Sequence, residues 1–153
     1  MKLLLFICAL LTPVPALAAD NVALASAVYV ERAVTGADGI SRVVREEPKL
    51  VTPGDRLVFV LTYKNAGTAP ADSFVVTNPI PASVSFVASD SPGADFSVDG
   101  GKSWAPLAAL KVKAADGRLR PAAASDITAI RWAFAKPIPV GGAGNLIFRG
   151  IVR

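Results

Sequence analysis

The chain has 153 residues, of which 52% are hydrophobic and 18% charged, and its net charge is +4. This length suits one domain. Because the sequence contains no histidine, it excludes Ser-His-Asp and Cys-His catalysis, histidine-ligated zinc and a histidine pH switch. Lysine and arginine are spread along the chain without a run of five or six like charges, so no nucleic-acid partner is predicted.

The first eighteen residues have the pattern of a secretory signal peptide. Lys2 gives a positive start, residues 3–11 form an apolar run, and residues 16–18 supply the small residues of a cleavage site. The apolar run is too short for the ~20 residues that a membrane-spanning helix needs. We expect cleavage after Ala18, or alternatively after Ala19, and a mature protein that is secreted across the inner membrane into the periplasm or the exterior.

The mature chain is expected to depend on its core for stability. Cys8, the only cysteine, lies in the leader, so residues 19–153 have no disulfide to form in a compartment that permits one. A chain of that length can bury a core without such a crosslink. It also lacks a second apolar stretch of ~20 residues, so we predict no membrane span in the mature chain.

From residue 22 onward, short apolar runs separated by turn residues predict strands rather than helices. In chain order we predict strands at 22–34, 40–46, 56–64, 74–77, 84–88, 96–98, from 104 onward, 127–135 and 146–152, with turns at 35–39 and 53–55, a rigid corner at 78–81, a hairpin turn at 99–102 and a loop at 118–125. About seven to nine strands at this spacing are typical of an all-β sandwich. We therefore predict one continuous domain, an immunoglobulin-like β-sandwich in which an N-terminal strand region, 19–44, joins a module at 45–153.

Two segments show which side chains should face the core. Residues 57, 59, 61 and 63 are apolar or aromatic on one face of their strand, and Val58 and Val60 make the other face apolar too, which predicts a central strand. In the segment 127–135, Ile130, Trp132 and Phe134 are predicted to point inward and Arg131 outward.

Three segments together carry a recognisable pattern. They are a Pro-Gly-Asp turn followed by an alternating strand that ends in Asn-x-Gly, a proline-rich corner, and a late strand with tryptophan; the residues are Pro53, Gly54, Asp55, Asn65, Gly67, Asn78, Pro79, Pro81 and Trp132. The pattern resembles the repeat module of bacterial and archaeal envelope proteins known as domain of unknown function family eleven, over residues 45–153. The corner departs from the family pattern, because Asn78 stands where aspartate is usual and Pro79 follows it. The chain holds one such module, whereas family members usually hold many.

These motif positions have structural explanations. Gly54 permits the turn and Asp55 caps it, while Asn65 and Gly67 suit a strand end with positive φ. Pro79 and Pro81 are expected to fix an extended crossing from one sheet to the other, and Trp132 suits the centre of the sandwich. None of these roles is chemical.

A second motif spans Ser97 to Trp104. With Asp99, Gly101 and Ser103 between them, these residues fit the S-x-D-x-G-x-[ST]-W pattern called the Asp-box. We predict a hairpin in which Asp99 and Ser103 tie the turn, Gly101 takes an unusual backbone conformation and Trp104 packs beneath. Such boxes repeat in sialidase-type propellers, so a glycan-binding or glycan-processing role is a remote alternative, but one copy in a chain of this length cannot make a propeller.

Little else in the sequence suggests chemistry. Glu46 and Glu47 are adjacent and would face opposite sides of a strand. The candidate calcium ligands Asp90, Asp95 and Asp99 do not form a D-x-D-x-D-G loop. A Lys–Asn isopeptide crosslink is a further candidate, with Lys49 or Lys64 pairing with Asn65, Asn78 or Asn145 beside an acid such as Asp55. We predict no catalytic residue, no metal and no cofactor.

Two functions remain open. The first is a non-catalytic envelope or extracellular module that binds an unidentified envelope protein through its loops. The second is a homopolymeric surface-fibre subunit, because residues 20–33 form an apolar, alternating strand that is a candidate for donation to a neighbouring copy. The alternative for those residues is the first strand of their own sandwich.

Overall fold

The computed structural model describes residues 22–153, in which strands account for most of the regular structure. The predicted signal peptide, residues 1–18, lies outside this range. Two short 3₁₀ helices, Leu107–Ala109 and Ala124–Asp126, accompany the strands. The ten strands are β1 (Val22–Thr35), β2 (Ser41–Glu46), β3 (Arg56–Asn65), β4 (Val75–Pro79), β5 (Val84–Ser89), β6 (Ala94–Ser97), β7 (Lys111–Lys113), β8 (Leu119–Pro121), β9 (Ala129–Ala133) and β10 (Ala143–Val152).

The strands form a sandwich-like arrangement of antiparallel sheets, as predicted. One sheet has the order β2-β1-β3-β10-β5 and the other β4-β9-β6, while β7 and β8 make a separate hairpin. Aromatic rings connect the sheets through the core. Phe59 and Phe148 stack with centroids 4.4 Å apart within the larger sheet, and Trp132 of the smaller sheet lies 6.4 Å from Phe148.

Strand β3 is central, in agreement with its two apolar faces. It lies between β1 and β10, and its inward residues Leu57, Phe59 and Leu61 are buried in the core. Val58 alternates to the outer face and is nevertheless completely buried. An ion pair between Arg149 Nη1 of β10 and Glu31 Oε1 of β1, 2.7 Å apart, joins the two strands that flank β3.

The N-terminal region is hydrogen-bonded into the larger sheet. Strand β1 pairs with β3 from Val22 to Glu31 and with β2 from Val30 to Thr35. Because β3 begins at Arg56, opposite Glu31, the rest of β1 continues with β2 alone. We call this two-stranded extension, residues 31–46, the distal ribbon.

The prediction of a loop at 118–125 is wrong. Its first part forms β8, which pairs with β7, and its end forms the second 3₁₀ helix. Two local features stabilise the turn of the β7–β8 hairpin. Gly117 has φ +83°, and the Asp116 carboxylate accepts a hydrogen bond from the Arg118 N–H at 3.0 Å. All of β8 is exposed, so it lacks the alternation from which a strand is predicted.

The predicted corner at 78–81 is also shorter than expected. Asn78 and Pro79 belong to β4, opposite Ile130 and Ala129 of β9. Pro79 is tolerated there because it ends a strand at the edge of its sheet, where its missing N–H matters least. The chain then passes through Pro81 to β5 in the other sheet, so the expected crossing between sheets occurs just after β4.

Candidate functional site

The Pro-Gly-Asp turn fastens the end of the chain to the start of β3. Gly54 has φ +94°, and the Asp55 carboxylate accepts a hydrogen bond from the Thr52 N–H at 2.9 Å. The backbone N–H of Gly54 donates to Val152 O, and the N–H of Val152 donates to Asp55 O. The turn therefore positions the last strand.

Asn65 works through its side chain, not through its backbone conformation. The positive φ expected at Asn65 and Gly67 is wrong, since neither is among the residues with positive φ. The carboxamide is buried: Nδ2 donates to Ala69 O and Ile138 O, both at 2.9 Å, and Oδ1 accepts from the Gly67 N–H at 2.9 Å. It joins the loop after β3 to the segment before β10.

The residues of the Asp-box form a closed turn. The Asp99 carboxylate accepts from the Lys102 and Ser103 N–H groups and from the Ser103 and Ser97 hydroxyls, at 2.6–3.0 Å. These bonds hold the pKa of Asp99 well below its usual range. Gly101 has φ +89°, and Trp104 lies directly beneath it. The side chains of Ser97, Asp99 and Ser103 are thus all hydrogen-bonded within the turn.

The backbone completes a hairpin around that turn. Phe96 and Ala105 exchange two hydrogen bonds, of 2.9 and 3.1 Å. The guanidinium of Arg131 lies 4.8 Å above the Trp104 ring and donates to Asp95 at 3.0 Å. Asp95 of β6 is therefore paired with Arg131, which lies opposite it on the neighbouring strand β9.

The other acidic candidates are engaged in the same way. Asp90 forms a two-point ion pair with Arg149, which lowers the pKa of the carboxyl. Within residues 22–153, no three acidic or cysteine side chains come together in a way that would hold a metal ion. The candidate isopeptide amides are hydrogen-bonded too: Asn145 accepts from the Thr62 hydroxyl, and Asn78 donates to Pro79 O.

An aromatic cleft opens between the two sheets. It has a volume of 290 Å³ and is lined by Tyr63, Trp132, Phe134, Pro92 and Asn145 among others. Tyr63 and Phe134 meet edge to face with centroids 4.9 Å apart. The indole N–H of the buried Trp132 has no hydrogen-bond partner among the described residues. The sequence predicts neither this cleft nor the unpaired indole N–H of Trp132.

The distal ribbon carries apolar side chains in solvent. Val34, Ile40 and Val43 are exposed, Val43 by 68%. Beside the ribbon lies a 610 Å³ cleft that combines the charged side chains of Arg32, Glu46, Glu47 and Lys49 with Val30 and Leu50. Leu50 is itself 76% exposed. The sequence predicts the strands of this ribbon, but not that it extends past β3, because that follows from where β3 begins.

Comparison of the chain with protein-family models, with curated proteins and with solved structures found no significant match. No helix in residues 22–153 combines the length and apolar character that crossing a bilayer requires.

Proposed function

We propose that the protein is a secreted, non-catalytic module of the cell envelope or exterior, with an immunoglobulin-like sandwich that resembles the envelope repeat family. The observation that carries the proposal is the distal ribbon. It extends beyond the sandwich and exposes Val34 on one face, Val43 on the other and Ile40 beside the turn, which costs free energy unless a partner covers them.

The chemistry of this end of the molecule favours a protein partner. The adjoining cleft mixes both signs of charge, from Arg32 and Lys49 and from Glu46 and Glu47, with the apolar Leu50. An apolar centre with a charged rim is typical of protein interfaces, whereas a nucleic acid or an anionic lipid surface would favour cations alone. The acidic side chains elsewhere also support a non-catalytic role, since the carboxylates of Asp90, Asp95 and Asp99 each accept hydrogen bonds from neighbouring side chains.

The test compares two lysine substitutions at similarly exposed valines. Val34 alternates in step with Val30 and Arg32, so it lies on the face of the distal ribbon that carries the cleft, and Val75 lies on β4 of the smaller sheet; their exposures are 44% and 49%. We expect the mature protein and Val75→Lys to sediment with envelope fragments of the producing cell, and Val34→Lys to bind at least about tenfold more weakly. Protease treatment of the fragments should abolish sedimentation. Equal binding by Val34→Lys, or binding that survives protease, contradicts the proposal.

The fibre-subunit alternative keeps one supporting observation, the apolar N-terminal strand. In the structure, residues 22–31 pair with β3 of the same chain, so donation would exchange that pairing for an identical one in a neighbour. Deletion of residues 19–33 distinguishes the functions. Large oligomers that become folded monomers on deletion support donation, and a protein no larger than a dimer that unfolds on deletion supports the binding module.

A further inference from the structure

The first half of β1 has a hydrogen-bonding edge without a neighbouring strand among the described residues. Strand β3 covers one side of β1 from Val22 to Glu31, but β2 covers the opposite side only from Val30 to Thr35. The stretch from 22 to 29 is therefore an edge of the larger sheet, although the remainder of the same strand is not.

The hydrogen-bond pattern identifies which residues face this edge. Gly36 N donates to Ile40 O, so even-numbered residues of β1 turn their backbone groups towards β2. Asn65 N donates to Gly142 O, so odd-numbered residues of β3 turn towards β10 and even-numbered ones towards β1. The two observations agree in register, because odd residues of β1 lie opposite even residues of β3. The N–H and C=O groups that face the open edge belong to Val22, Leu24, Ser26 and Val28.

This edge lacks the usual protection. Exposed edge strands normally carry charges, prolines or bulges that prevent pairing with another chain. Residues 22–29 contain no charge, no proline and no glycine, and pair with β3 without a bulge. Leu24 is 50% exposed beside the open edge. An uncharged, regular strand of this kind is suited to receive another strand.

We propose that the occupant is a second copy of this chain, whose own residues 22–29 pair antiparallel with this edge to form a two-fold dimer. Glu46, opposite Val30, closes one end of the available space. The space is about 27 Å long at ~3.4 Å per residue, which matches the length of the strand that would fill it. The dimer would join two five-stranded sheets into one.

One register uses every free backbone group. With Ala25 on the two-fold axis, Val22 of each copy lies opposite Val28 of the other, and Leu24 lies opposite Ser26. The four residues of each copy then exchange two hydrogen bonds with each opposite residue, as in any antiparallel ladder. Because both copies present the same surface, the contact closes as a dimer and does not extend into a fibre.

The side chains fit this register. The pair on the axis is a closely spaced one, with Cα atoms ~4.5 Å apart, and Ala25 is small enough for that approach. Leu24 gains the small Ser26 as its neighbour, so its exposed side chain has space to pack. A copy of the same uncharged strand opposes no like charges, whereas a charged segment of another protein would find no counter-ion along residues 22–29. This contact is separate from the distal ribbon, so either proposal can fail without the other.

The test uses charge reversal on the axis. We expect the mature protein, purified after secretion, to have twice the monomer mass by light scattering at about 100 µM, a concentration at which a Kd in the micromolar range gives mostly dimer. Ala25→Lys and Ala25→Glu should each be monomeric, because the register places like charges side by side. Mixed in equal amounts they should restore the dimer. Ala33→Lys adds the same charge to the same face of β1 on the distal ribbon and should leave the mass unchanged.

Three results would overturn the proposal. They are a monomeric wild-type protein at this concentration, a dimer that persists in both charge variants, and an association that grows beyond the dimer. Ser26→Pro provides a second measure, since it removes an N–H that no described strand accepts and leaves the pairing with β3 intact. It should give a folded monomer by circular dichroism and light scattering.

Discussion

Replacing Asn65 by alanine should destabilise the protein far more than its position at a strand end suggests. The side chain is 1% exposed and makes three hydrogen bonds of 2.9 Å. Each such bond contributes about 1 kcal/mol, and the substitution takes the side-chain partner away from Ala69 O and the Gly67 N–H, whereas Ile138 O keeps the Ala71 N–H as a donor. We expect the free energy of unfolding to fall by about 3 kcal/mol, and the melting temperature by about 12 °C for a domain of this size.

The matched control is Asn78→Ala. Asn78 belongs to the same sequence pattern, but its amide donates only to Pro79 O, in an exposed setting. Its loss should cost less than about 1 kcal/mol. Urea denaturation followed by circular dichroism measures both variants. Equal effects, or a loss below about 1 kcal/mol for Asn65→Ala, would refute the assignment of Asn65 as the junction between the two segments.

Three further perturbations have predictable effects on stability. Ser97→Ala should cost about 2 kcal/mol in urea denaturation, because the buried hydroxyl accepts a backbone N–H of the turn at 2.8 Å; a loss within error would show that the turn does not need it. The two-point pair with Arg120 lowers the pKa of Asp126 from 3.8 to about 2, so its stabilising effect, about 1 kcal/mol, is complete above about pH 5 and is lost as pH falls towards 2. Asp126→Asn should flatten the thermal-melting profile in that range, and an unchanged profile would contradict the pairing. Gly150→Ala should lower the melting temperature by about 4–8 °C, since its new methyl group would overlap a methyl carbon of Val84; an unaffected melting temperature would mean that β5 moves away without cost.

Much of the sandwich could be predicted because its strands carry strong patterns. The two apolar faces of 56–64 indicated a central strand, and the alternation around Trp132 indicated the inward face of β9. The β7–β8 hairpin could not be predicted in this way, since β8 is wholly exposed and is held by its turn, its pairing with β7 and the Arg120–Asp126 ion pair. Side-chain hydrogen bonding could not be predicted either. The sequence suggests Asn65 as a residue with positive φ at a strand end, whereas its hydrogen-bond partners Ala69 O and Ile138 O come together only in the folded chain.

The candidate surfaces depend on relations between strands that a single sequence does not contain. The sequence predicts an apolar strand at residues 20–33 and leaves open whether it pairs within its own sandwich or with a neighbouring copy. That its first half has an open edge depends on where β2 ends, at Glu46 opposite Val30. The distal ribbon likewise depends on β3 beginning at Arg56, opposite Glu31.

Residue-resolved amide hydrogen exchange of β1 tests the central claim most directly, namely that the N-terminal strand belongs to its own sandwich and has one free edge. In dilute, monomeric protein, we predict slow exchange at Ala23, Ala25, Ala27 and Tyr29, which pair with β3, and fast exchange at the alternate residues. At concentrations that favour the dimer, the alternate residues should become protected as well. Fast exchange throughout 22–29 in the monomer would contradict the account, because β1 would then not be part of the sandwich.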